Sequence, residues 1–128
     1  MASKVPEDLR YSKEHEWLKA EGPRARIGIT DYAQHQLTDI VYVKLPSKGQ
    51  KVKAGEVLGE VESIKSVSQI YSPASGTVTE ANTALDQQPE LMNQDPYGKG
   101  WFVVLQLDSP GDAGKLLDAK GYRQHIGE

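Results

Sequence analysis

Val57-Leu58-Gly59-Glu60-Val61-Glu62-Ser63-Ile64-Lys65-Ser66-Val67-Ser68-Gln69-Ile70-Tyr71 consists of two strand-like runs around a short, polar-ended connection. The upstream run alternates Val57, Gly59 and Val61 with Leu58 and Glu60, the period of a half-buried strand. The downstream run is β-prone and stops before Pro73, which has no N–H for a ladder. Runs joined in this way predict a hairpin with Lys65 at or near its tip. A lysine held out on a rigid turn suits a swinging-arm carrier, whose amide-linked cofactor must reach several enzymes without dragging the fold along. The geometry also fits a solvated surface lysine, the commoner case.

Strand and turn signals continue on both sides. Residues 11–20 read as a strand around Trp17-Leu18, closed by the turn Glu21-Gly22-Pro23. Residues 24–29 alternate Ala25, Ile27 and Ile29 with Arg24, Arg26 and Gly28, a half-buried strand pairing back as a hairpin. Thr30 is a good N-cap, and Asp31 with apolar spacing at Tyr32, Ala33 and Leu37 predicts a two-turn helix. Further strands are expected at 40–45, 57–62, 67–71, 77–80 and 101–107. Ser109-Pro110 opens a C-terminal helix from Gly111 to about His125, with Leu116, Leu117 and Tyr122 on one face. At an offset of 33 residues, Leu45, Val52 and Leu58 fall on Val78, Leu85 and Leu91, and Gly49 falls on Asn82. Gly and Asn both tolerate left-handed turns, so this match predicts two similar strand–turn–strand halves flanking the lysine hairpin. The expected fold is mainly β: a small barrel or sandwich of short antiparallel strands, with a short helix in the N-terminal half and a C-terminal helix.

The chain has 128 residues, enough for one domain with a modest core, and residues 1–128 are taken as that single domain. Hydrophobic residues at 38% and charged residues at 26% indicate a globular chain. The absence of cysteine excludes disulfides, thiolate metal sites and cysteine nucleophiles. A net charge of −3 argues against nucleic acid or an anionic membrane as partner. No apolar run approaches the ~20 residues of a membrane span. The first ten residues have no apolar core and carry Glu7 and Asp8, so the expectation is a cytoplasmic protein or a matured mitochondrial form.

No triad, paired-carboxylate site or phosphate loop emerges, since Asp86, Glu90 and Asp95 are scattered through loop-like sequence without a base or nucleophile beside them. His15 has no second histidine at ligand spacing and is read as a packing or surface residue, and His35 and His125 as solvated. Residues 95–101, with Pro96, Gly98 and Gly100, form a turn-rich loop expected to deliver Trp101 to the core. Glu16 alone reads as a solvated acid at a strand edge.

Several segments together resemble the H protein of the glycine cleavage system. They are His15-Glu16-Trp17, Gly28-Ile29-Thr30-Asp31-Tyr32-Ala33-Gln34, Asp39-Ile40-Val41-Tyr42-Val43-Lys44-Leu45-Pro46, Val61-Glu62-Ser63-Ile64-Lys65, Tyr71-Ser72-Pro73-Ala74-Ser75-Gly76 and Asp95-Pro96-Tyr97-Gly98-Lys99-Gly100-Trp101. They run in family order over residues 9–122. The resemblance implies a lipoyl/biotinyl-type barrel-sandwich hybrid and identifies Lys65 with the lysine that carries (R)-lipoate.

By the same resemblance the protein is a carrier and not an enzyme. Its implied partners are a pyridoxal-phosphate glycine decarboxylase, a tetrahydrofolate-dependent aminomethyltransferase, dihydrolipoyl dehydrogenase, and a lipoate ligase or lipoyl transferase. The dithiol chemistry belongs to the cofactor, so a chain without cysteine can serve. The loaded arm is expected to dock in a cleft where Glu16 matches a carboxylate that pairs with the aminomethyl ammonium. Glu14, two residues away on an extended chain, would add to the field. Gln69 stands where some members have an acid and Gln36 where some have a histidine, so the cleft carries less charge than in those members. Two readings compete: a lipoyl domain of another multienzyme complex, and an H-like lipoyl donor. Ile64-Lys65-Ser66 is neither the Met-Lys-Met usual for biotin acceptors nor the Asp-Lys-Ala usual in 2-oxo acid dehydrogenases.

Overall fold

The computed structural model describes residues 3–128. Its strands are β1 (Arg10–Tyr11), β2 (Glu16–Glu21), β3 (Arg24–Ile29), β4 (Ile40–Lys44), β5 (Lys51–Val52), β6 (Val57–Ser63), β7 (Val67–Tyr71), β8 (Gly76–Ala81) and β9 (Val103–Leu107). Six form one sheet in the order β1-β2-β3-β9-β8-β5, three form a second in the order β4-β6-β7, and every pairing is antiparallel. The sheets remain open at their edges. Side chains from both, including Ile27, Val43, Leu58, Val61, Ile70, Val78 and Leu105, share one core with Phe102, the residue before β9. The mainly β expectation holds.

Local signals settled several elements. Arg24–Ile29 forms the expected strand, paired with β2 from Glu16↔Ile29 to Glu21↔Arg24. Gly28 is required there, because a Cβ would stand 2.7 Å from the Trp17 indole lying across it. Thr30 caps α1 (Asp31–Leu37), accepting from Ala33 N. The buried face of α1 is nonetheless polar: Tyr32, Ala33 and Leu37 are only half-covered, whereas Asp31 and Gln34 are buried. Asp31 Oδ1 accepts from Gln34 Nε2 at 2.8 Å and Oδ2 from Lys4 N at 2.9 Å, which compensates its loss of water.

Other expectations fail for reasons that lie outside the local sequence. The hairpin strand does not alternate simply. A register shift between Val57 and Gly59 brings Leu58, Gly59 and Val61 all inward and leaves Val57 exposed. The C-terminal helix is broken into a 3-10 turn (Pro110–Lys115) and α4 (Ala119–His125). Leu117 exchanges backbone bonds with Tyr11, at 2.8 and 2.9 Å, and Asp118 then caps α4 by accepting from Gly121 N. The offset of 33 has no structural counterpart: Val52 lies in β5 while Leu85 and Leu91 lie in the short helices α2 (Ala84–Gln87) and α3 (Leu91–Gln94). Gly49 has positive φ and Asn82 does not. Phe102, not Trp101, enters the core, while Trp101 stays half-buried under the Arg26 guanidinium at 4.7 Å.

Candidate functional site

Lys65 lies at the tip of the β6–β7 hairpin, beyond the last paired residues Glu62↔Val67. The tip is built around the buried Ser63. Its hydroxyl accepts from Lys65 N at 3.2 Å and Ser66 N at 3.1 Å and donates to Ser66 O at 3.2 Å. Ser63 N donates to Ser66 O at 2.8 Å, and Ile64 N to Asp39 O at 3.0 Å. The backbone of the turn is thus tied both internally and to Asp39, the residue before β4. The Lys65 side chain is exposed, and its Nζ donates to the main-chain O of Gln36 at 3.1 Å. In the turn and the flanking strands β4 and β7, Ile64, Val67, Val41 and Tyr42 are all more than half exposed.

Of the other expected residues, Gln69 lies on β7, the strand that leaves the tip, Gln36 on α1 and Glu16 at the start of β2. Gln69 and Gln36 are exposed, and Gln69 Oε1 accepts from the Tyr71 hydroxyl at 3.1 Å. Tyr71 closes β7, and its N–H donates to Glu16 Oε2 at 3.3 Å. β7 therefore runs from the lysine to the acid. Gln36 belongs to the lysine end, through its carbonyl and not through its side chain.

Glu16 is not the solvated acid its position suggests. It is 2% exposed, and Ser12 Oγ donates to its Oε1 at 2.5 Å. Burial pushes its carboxyl up to about 7, and Glu14 adds to the rise, while the bonds from Ser12 and Tyr71 oppose it. A cavity of about 280 Å³ adjoins it, bounded by Tyr11, Lys13, Tyr71, Pro73, Lys115 and Leu117 among others. Glu14 lines the same cavity from a turn and not from an extended strand, because His15 has φ of 72° and its N–H bonds to Ser12 O. Ser12, Ser63 and Tyr71 were not anticipated. The one signal available was a serine beside a turn, which is common and unspecific.

His15 is a packing histidine as expected, with Nδ1 2.8 Å from the Tyr122 hydroxyl, and burial lowers its pKa. His35 and His125 are exposed. Among the described residues no three His, Asp or Glu side chains gather to hold a metal ion. A second cavity, of about 570 Å³, is lined by Tyr42, Lys44, Lys48, Thr79, Glu80 and Asp86 and lies apart from Lys65 and Glu16, neither of which lines it. No described helix is long and apolar enough to cross a membrane.

Comparison with known proteins agrees with this geometry. The family model described as glycine cleavage H-protein matches residues 9–128. The glycine cleavage system H protein of Symbiobacterium thermophilum is 54% identical over 118 residues, covering 92% of each chain. That of Bacillus subtilis is 50% identical over 120 residues, covering 94% of each. A crystal structure of a glycine cleavage system H protein from Mycobacterium marinum superposes with a TM-score of 0.89 at 40% identity, over 97% of this chain and 100% of that one. The two open sheets are accordingly the barrel-sandwich hybrid of that structure. The chain belongs to the glycine cleavage H-protein family, the lipoyl carriers of the glycine cleavage system.

Proposed function

We propose that Lys65 carries (R)-lipoate in amide linkage to Nζ, and that the chain acts as a carrier and not as an enzyme. The observation that carries this reading is the tip itself: an exposed amine on a turn whose backbone Ser63 holds in place. The residues present suit an acyl arm. The amine is accessible to a lipoate ligase or lipoyl transferase, and the turn that carries it also exposes Ile64 and Val67. The bound disulfide–dithiol supplies acceptance of an aminomethyl group and of electrons, chemistry this chain lacks.

The protein's part is to present and to shelter. Tethering makes each delivery intramolecular, with effective concentrations in the ~mM range. An arm fixed at Lys65 and laid along β7 passes Gln69 and reaches the Glu16 carboxylate, whose charge suits the ammonium of the cargo. Gln36 holds the unmodified amine through its carbonyl, a contact that acylation of Nζ would alter. Gln69 offers a hydrogen bond without charge. The partners of this reading are the pyridoxal-phosphate glycine decarboxylase, the tetrahydrofolate-dependent aminomethyltransferase and dihydrolipoyl dehydrogenase. Residues 1–128 are then one carrier domain, the first two lying outside the described residues. A cytoplasmic location accords with the bacterial relatives.

Reconstitution tests the reading. Lipoylated protein combined with the three partner enzymes, glycine, tetrahydrofolate and NAD should support glycine-dependent NADH formation, and Lys65→Arg should not. NADH formation by Lys65→Arg at the wild-type rate would overturn it.

A further inference from the structure

The start of β2 contains a closed circuit of hydrogen bonds that presentation of the arm leaves unexplained. Ser12 N donates to Glu16 O at 2.9 Å, and Glu16 N donates to Ser12 Oγ at 3.0 Å. The same hydroxyl donates to Glu16 Oε1 at 2.5 Å, the length of a charge-assisted O–H···O bond. A serine hydroxyl has one proton. With its oxygen already accepting from Glu16 N, that proton is directed at Oε1. Among the described residues the second oxygen, Oε2, has only the long 3.3 Å bond from Tyr71 N, at the end of the strand that starts beyond Lys65. An oxygen so lightly engaged keeps capacity for another donor.

We infer that Ser12 is a positioning residue for Glu16: its hydroxyl anchors Oε1 so that Oε2 is held toward a cationic amine carried along β7. The inference rests on the reading of Lys65 and Glu16 given above and adds the residue that orients the acid. A carboxylate free to turn would spread its charge over several directions and would have to be ordered each time the amine arrived. Ser12 does this ordering in advance. The bond also favours the charged form of a buried acid. Burial and Glu14 push Glu16 up, whereas Ser12 and Tyr71 N pull it down. Lys13 and Lys115, the cations lining the same cavity, are the other charged groups facing this end of the protein.

The test is a 13C NMR titration of the Glu16 carboxyl in protein without lipoate, comparing wild type, Ser12→Ala and Ser12→Thr. Ser12→Ala should raise the midpoint by about one pH unit, the effect of losing one charge-assisted bond, and Ser12→Thr should restore it. A thermal melt of each variant confirms that the titrating chain is folded. A Ser12→Ala midpoint equal to wild type overturns the inference, and so does a folded Ser12→Thr protein that titrates like Ser12→Ala. Lipoylated Glu16→Gln separates this from the carrier reading. If that variant keeps its cargo as long as wild type does, the pairing of Glu16 with the amine falls, while the Ser12 midpoints still decide what orients the acid.

Discussion

At one end of β7 the exposed Lys65 stands on a turn held by Ser63 within it and by contacts to Asp39 and Gln36 nearby. At the other end the Glu16 carboxylate is 2% exposed and held by Ser12 and by the backbone of Tyr71. The lysine end is local, and the charge it offers costs the fold almost nothing. The glutamate end is assembled from distant segments, and an ionised acid there is opposed by burial. The function proposed above uses both ends. The proposed attachment at Lys65 uses the accessible amine, and the proposed docking of the arm uses the acid removed from water.

The comparison can be broken from below. Leu58 is a core-facing residue near the base of β6, so Leu58→Ala should cost ~2–5 kcal/mol by urea unfolding. Both ends of β7 should suffer together, and a loss confined to the lysine end would show that the hairpin folds independently of the sheet.

The next largest effect concerns pH. The Glu16 carboxyl is raised from 4.5 to about 7 in the folded protein, so the folded state binds its proton more tightly than the unfolded state does. The stability this gives is fully present below pH 4.5 and is lost as pH rises through about 7. The loss amounts to roughly 3 kcal/mol. Glu16→Gln should therefore flatten the fall in unfolding free energy between pH 5 and pH 8. Parallel wild-type and variant curves would contradict the burial-driven shift.

Ser63→Ala sharpens the lysine end. It removes the acceptor of two backbone N–H groups and should cost ~1–2 kcal/mol. Amide exchange should quicken at Lys65 and Ser66 while Tyr71 stays protected. Smallest of all, Lys65→Ala should change stability by less than ~0.5 kcal/mol, since the side chain is exposed.

Legibility from sequence divides along the same line. Arg24–Ile29, the Thr30 cap and the Lys65 hairpin were readable because neighbouring residues decide them: alternation, an N-cap hydroxyl, two β-prone runs about a short turn. Burial of Glu16 was not readable, because the Tyr71 N–H that meets it lies 55 residues away. The break in the C-terminal helix likewise depends on Leu117 pairing with Tyr11, a contact periodicity does not register. The offset of 33 failed because shared spacing of apolar residues serves a strand at Val52 and a helix at Leu85 equally well. The contact of Lys65 with Gln36 is made by the backbone carbonyl, present at every residue, and so carried no sequence signal.

The central claim is that one amine accepts the acyl arm. Co-expression with a lipoate ligase, followed by proteolysis and fragmentation mass spectrometry, tests it most directly. The lipoyl mass increment should map to Lys65 alone and vanish from the digest of Lys65→Arg. An increment on any other lysine, or none on Lys65 while a known acceptor in the same cells is modified, would contradict the account.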